Sequence, residues 1–100
     1  MGTTAATVDI GTLITRRPGV YGGRPCLAGT RFPVMQVAVM HNEGVSPEEI
    51  MRRFAGLELS WIYAGVAYYL ANKAEVDAEL AEEERIYQEG LAAQGVRYGQ

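Results

Sequence analysis

Apolar positions follow a helical spacing from residue 34 to near residue 93, whereas the segment before them follows no regular spacing. After Pro33, apolar side chains recur at intervals of three and four residues, as on a buried helix face. A second apolar line containing Met35 and Val39 runs beside the first, so we expect more than one neighbour to cover this helix. Gly44 is predicted to end it, because glycine readily adopts the positive φ that follows a helix.

A second helix is predicted to begin at Pro47. Ser46 can accept a hydrogen bond from the first turn, and proline suits the first helical position. Glu49 is placed to reach back to the cap and complete a capping box. Gly56 is predicted to end this helix. The segment is the clearest local structural signal in the sequence.

Two further helices are predicted in the C-terminal part of the chain. Ser60 is expected to cap the third, which extends to about Lys73, and Gly65 in its middle permits close packing. The fourth spans roughly residues 75–93 and is amphipathic. Its narrow apolar stripe consists of Val76, Leu80, Tyr87 and Leu91.

The segment before the first helix is rich in turn-forming residues. Residues 1–7 are predicted to be a flexible tail, and residues 8–15 a single short strand. Two extended pieces, 19–21 and 26–28, are expected to pair across a turn at Gly22 and Gly23, because adjacent glycines supply backbone angles closed to other residues. The glycines match neither a phosphate-binding loop nor a dinucleotide fingerprint.

These elements predict a mostly α-helical fold with a short N-terminal β-arm. Two short helices joined by a turn, with a third before them, are typical of a homeodomain-like helix-turn-helix. We expect the β-arm and the helix-turn-helix to occupy residues 8–73. Residues 74–100 are expected to form an acidic C-terminal helix and tail that bind a partner.

The composition argues against an enzyme. The single cysteine excludes a disulfide framework and a multi-cysteine zinc site, and the single histidine excludes a pair of histidine ligands. We therefore expect no catalytic residue, no metal and no cofactor. Residues 1–6 do not resemble a signal peptide, and no apolar run approaches the ~20 residues of a membrane helix, so a cytoplasmic protein is expected.

Charge is distributed unevenly along the chain. Residues 1–57 hold six arginines against four carboxylates, whereas residues 58–100 hold three cations against eight carboxylates. Such halves often face partners of opposite sign, and two solvated faces explain the same pattern.

A long glycine-punctuated stretch resembles a known family. The stretch is PGVYGGRPCLAGTRFPV at residues 18–34, and GVSPEEI at 44–50 and LSWI at 59–62 continue the match. Over about residues 10–70 the chain is similar to the small bacterial antitoxin-like proteins of the domain-of-unknown-function-433 family. The resemblance implies a β-arm, a homeodomain-like helix-turn-helix, a dimer, and an antitoxin role of the VapB type beside a PIN-like ribonuclease toxin.

Arginines of the N-terminal half are the candidates for DNA contact. Phosphate contacts are expected from Arg16, Arg17, Arg24, Arg52 and Arg53. The third predicted helix, which takes the place of the recognition helix, lacks the polar residues that read bases near its start. It offers Trp61, Tyr63 and Tyr68 instead, which are typical of protein interfaces and are candidates for a homodimer contact.

The acidic C-terminal helix is the candidate toxin-binding element. Its charge suits the basic rim of a ribonuclease cleft, and its stripe suits an apolar groove. The candidate contacts are Leu80, Tyr87, Leu91 and Arg97. A helix that folds back on its own dimer explains the same stripe equally well. Two other functions remain open, namely a stand-alone helix-turn-helix DNA-binding regulator and a dimerisation or scaffold module without DNA binding.

Overall fold

The computed structural model describes residues 7–94, and the chain there is mostly helical with a short β-arm, as the sequence predicts. Two 3-10 turns cover Ile10–Leu13 and Tyr21–Gly23. The regular elements are β1 (Ile14–Thr15), β2 (Cys26–Leu27), α1 (Val34–Asn42), α2 (Pro47–Arg53), α3 (Leu59–Ala71) and α4 (Lys73–Ala93). The flexible tail predicted for residues 1–7 lies, apart from its last residue, outside the described residues.

The β-arm differs from the prediction. Residues 8–15 do not form one strand, because Asp9 accepts a hydrogen bond from the Gly11 amide (2.9 Å) and caps a 3-10 turn instead. Only β1 remains extended, and it pairs antiparallel with β2. The predicted pairing of residues 19–21 with 26–28 is wrong. Gly19, Gly22 and Gly23 all have positive φ, so that segment turns rather than extends.

α1 begins and ends where the sequence predicts, whereas α2 begins as predicted but ends at Arg53, before Gly56. Gly44 follows α1 with φ +84°, and the Ser46 hydroxyl accepts a hydrogen bond from the Glu49 amide (3.1 Å) at the start of α2. The predicted return of the Glu49 carboxylate to the cap is wrong. That carboxylate forms ion pairs with Arg52 and Arg53 of the same helix, because these residues lie one turn further along the same face.

α3 is the central helix, and it packs against α1, α2 and the β-arm. It begins two residues earlier than predicted, with Glu58 rather than Ser60 at the cap, and it ends at Ala71 rather than at about Lys73. Gly65 is the close-contact point: a Cβ built there would lie 2.9 Å from the Leu27 Cδ2 atom. α3 and β2 can therefore approach each other only where a side chain is absent.

The core consists of two apolar clusters. The first joins β2 to α1, α2 and α3 through Leu27, Val34, Val37, Met40, Ile50 and Ile62. The second joins α4 to α1 and α3 through Met35, Ala38, Tyr69 and Val76, with Leu80 packed against it. The second cluster fixes where α4 leaves the domain. Between residues 7 and 94, no helix combines the length and the apolar character needed to cross a membrane.

Candidate protein-binding surface

A hydrogen-bond network around Tyr69 holds the start of α4 in place. The Tyr69 hydroxyl, on a fully buried side chain, donates to the Asp77 carboxylate (2.6 Å) and accepts from the Asn42 side-chain amide (2.9 Å). Lys73 also donates to the Asp77 carboxylate (2.7 Å). The bonds from Lys73 and Tyr69 lower the pKa of Asp77. The network ties α1, α3 and α4 together, so the direction of α4 is set by its first turn.

An ion pair between Arg24 and Glu83 joins the arm to α4. The guanidinium Nη1 lies 2.5 Å from the carboxylate Oε2, and this bond is the largest of the effects that raise the pKa of Arg24. Arg24 also lies against the Tyr21 ring, 5.7 Å from its centroid. The residue predicted to contact phosphate is therefore already bound to a carboxylate of its own chain.

Beyond Glu83, α4 leaves the domain. Every residue from 81 to 90 is exposed, and residues 84–94 extend about 16 Å at the usual helical rise. This part includes Ile86 and Tyr87, with 54% and 60% of their surface exposed, and the half-buried Leu91. We call Ile86, Tyr87 and Leu91 the distal apolar surface. Arg85 forms ion pairs with Glu82 and Glu89, which support the helix where no other element covers it.

The structure divides the predicted toxin-binding residues. Tyr87 and Leu91 lie on the distal apolar surface, whereas Leu80 packs against the second core cluster. Arg97 lies outside the described residues. Ile86 was not predicted, because it lies off the stripe that starts at Val76. The sequence signal for Ile86 is its apolar side chain next to Tyr87. This signal becomes informative only when the first part of the stripe is known to pack in the domain.

The candidate DNA-binding arginines lie on separate elements and have partners within the chain. Arg17 donates to the backbone carbonyls of Gly29 and Thr30 (2.7 and 3.1 Å), and Arg16 donates to the Tyr68 hydroxyl. Arg52 and Arg53 share the Glu49 carboxylate on α2. Arg16, Arg17 and Arg24 lie on the arm, whereas Arg52 and Arg53 lie on α2.

The three aromatic candidates for a dimer contact have different surroundings. The half-buried Trp61 packs against the first core cluster. Tyr63 is 48% exposed and donates to the Glu48 carboxylate (2.7 Å). Tyr68 is half-buried and contacts both core clusters and Arg16. Only Tyr63 presents much of its ring to solvent.

The two groups most able to support catalysis are both packed. Cys26 is 1% exposed, and burial raises the pKa of its thiol, which disfavours the reactive thiolate. The ring of His41 lies edge-on to the buried Tyr69 ring, with 6.0 Å between centroids.

Comparison with known proteins gives a family and a related structure. The family model DUF433, described as "Protein of unknown function", matches residues 14–69. The chain is 30% identical to a DUF433 member protein from Anabaena variabilis with a crystal structure, with a TM-score of 0.63. That similarity covers 70% of this chain and 69% of the other. No curated protein matches.

Proposed function

We propose that this chain, which belongs to the DUF433 family of proteins of unknown function, is a cytoplasmic antitoxin of the VapB type. In this proposal α4 binds and neutralises a PIN-like ribonuclease toxin. The chain acts as a homodimer and by binding rather than by catalysis. Repression of its own operon through the helix-turn-helix is the second part of the proposal.

The proposal rests on the distal apolar surface. An isoleucine and a tyrosine side by side, each more than half exposed, lie on a helix segment that no other element between residues 7 and 94 covers. Tyrosine is among the residues that contribute most to protein–protein binding energy. Amphipathic helices commonly insert such residues into an apolar groove of a partner. The segment is thus suited to bind another protein rather than to stabilise this one.

The charge around this surface indicates the kind of partner. α4 contains seven carboxylates and two cations. A ribonuclease needs a basic rim to hold RNA phosphates, so an acidic helix is attracted to the surface that the RNA would occupy. Binding there blocks the substrate without any chemistry by the antitoxin.

Co-expression with a PIN-like nuclease, which the proposal expects to be encoded next to this chain, tests the proposal. Tagged chain should retain the nuclease on a column and suppress its RNA cleavage. The double substitution Ile86→Ser and Tyr87→Ser should weaken binding by about 30-fold or more, which is the usual effect of losing a binding hot spot. Leu70→Ser is the matched control, because Leu70 is 53% exposed on α3 and lies off this surface. A double variant that binds and inhibits like the wild type would contradict the proposal.

A gel shift with DNA from upstream of the operon tests the second part. A dimer with a helix-turn-helix is expected to bind a palindromic site. Replacement of both Arg52 and Arg53 by alanine should weaken retardation and lower its salt dependence. Unchanged affinity would remove the two α2 arginines from the DNA contact. Absence of any retardation at low salt, with and without the toxin, would leave the scaffold alternative.

A further inference from the structure

An apolar groove lies between the N-terminal 3-10 turn, β1 and the second half of α3. Its volume is about 590 Å³, which falls within the range of small-molecule sites in proteins. Ile10 and Ile14 form one wall, and Ala64, Ala67 and Ala71 form the other. The three alanines leave space where larger side chains would fill it.

One end of this groove is cationic. Arg16 lines it together with Tyr68 and Asn72. Within the described chain, Arg16 donates to the Tyr68 hydroxyl and forms no ion pair with a carboxylate. A guanidinium has five N–H donors, and the Tyr68 hydroxyl keeps its own hydrogen after accepting one bond, so donors remain for an anion.

The groove therefore combines apolar walls with one guanidinium that pairs with no carboxylate of residues 7–94. We propose that it binds an amphipathic monocarboxylate, with the hydrocarbon part against the alanine wall and the carboxylate on Arg16 and Tyr68. Charge complementarity favours this occupant over a second copy of the chain. None of the residues that line the groove is acidic, so a symmetric dimer across it would bury both Arg16 side chains without a counter-charge. The distal apolar surface on α4 is not part of this site.

Titration of the full chain with decanoate, followed by calorimetry and by amide NMR shifts, tests the proposal. Decanoate should bind saturably and shift the amides of residues 10–16 and 64–72. Decanol, which has the same chain without the charge, should bind about tenfold more weakly, because a hydrogen bond to a charged group contributes a factor of this order. Equal binding of the two compounds, or no shift in these residues, would overturn the proposal.

Three variants separate the groove from its surroundings. Arg16→Met should weaken decanoate binding about tenfold without weakening decanol binding. Ala67→Glu places a carboxylate in the groove at an exposed helical position that tolerates it, and it should abolish decanoate binding. Arg31→Gln is the matched control, since Arg31 is an exposed arm arginine outside the groove lining, and it should bind like the wild type.

Sedimentation of the same proteins tests whether a second copy of the chain occupies the groove instead. The proposal expects the oligomeric state of the wild type to persist in Ala67→Glu, whose circular dichroism should stay helical. A wild-type dimer that Ala67→Glu converts to a monomer, with no decanoate binding to either form, would assign the groove to a second copy and overturn the proposal.

Discussion

Removal of one buried hydroxyl group should loosen α4 from the domain. Tyr69→Phe keeps the ring in the second core cluster but removes the hydroxyl that links Asn42 of α1 to Asp77 of α4. The ring itself should not move, because no cavity is created. The substitution therefore isolates the contribution of the hydrogen bonds from that of apolar packing.

The magnitude follows from burial and from what remains after the change. Tyr69 is fully buried, so its hydroxyl cannot exchange these partners for water in the folded state. Loss of a buried hydrogen-bonded group typically costs 1–3 kcal/mol. Asp77 keeps its bond from Lys73 and both neighbours reach solvent, so we expect a loss in the lower part of this range, about 1–2 kcal/mol.

Urea unfolding followed by circular dichroism measures this loss. With a slope of about 1–2 kcal/mol per molar urea, the midpoint of Tyr69→Phe should fall by about 1 M. Tyr63→Phe is the matched control, because the Tyr63 hydroxyl also donates to a carboxylate, that of Glu48, but does so at the surface (2.7 Å). The control should leave the midpoint unchanged. Equal midpoints for both variants would refute the argument that burial makes the Tyr69 hydroxyl important.

Three further predictions concern stability. Gly65→Ala should destabilise the protein by about 1 kcal/mol, because the cost of overpacking against Leu27 exceeds the gain in helix propensity. Gly90→Ala lies in open space on α4 and should stabilise the protein by about 0.5–1 kcal/mol. Thermal unfolding measures both changes. The pKa of Asp77 is lower in the folded protein than in the unfolded chain. The Asp77 carboxylate therefore stabilises the fold fully above the unfolded pKa of about 4, and this stabilisation is lost as pH falls through the lower folded pKa. Unfolding measured against pH should therefore show a shallower acid loss for Asp77→Asn. Glu83→Gln should lower the free energy of unfolding by less than about 1 kcal/mol, because its ion pair with Arg24 is exposed. It should nevertheless speed hydrogen exchange of arm amides, because this ion pair holds the arm to α4. Unchanged exchange would contradict this.

The helices could be predicted because their signals are local. Ser46 and Pro47 define the start of α2, and Gly44 marks the end of α1, each through a backbone preference that does not depend on distant residues. Gly65 could likewise be identified as a packing position from its place in the helix. The start of α3 could not be predicted in the same way, because Ser60 is the better N-capping residue, whereas Glu58 takes the cap position without a side-chain hydrogen bond to the helix.

The arm and the outer part of α4 depend on contacts that no local pattern contains. β1 pairs with β2 across an interval filled with positive-φ glycines, so the alternation of residues alone does not give the register. On α4, the stripe continues past the point where the domain ends. Leu80 and Tyr87 share the stripe, yet Leu80 packs against the second core cluster and Tyr87 is 60% exposed. The sequence gives no measure of where that boundary falls, and this boundary decides which residues are free to bind a partner.

Hydrogen–deuterium exchange of the chain, free and bound to the proposed ribonuclease toxin, shows whether α4 is the binding element. The amides of residues 84–94 lie on an uncovered part of α4 and should exchange rapidly in the free protein. We expect strong protection of these amides in the complex, with little change in α2. Protection confined to the arm or to α2 and α3, with residues 84–94 still exchanging as in the free chain, would contradict it.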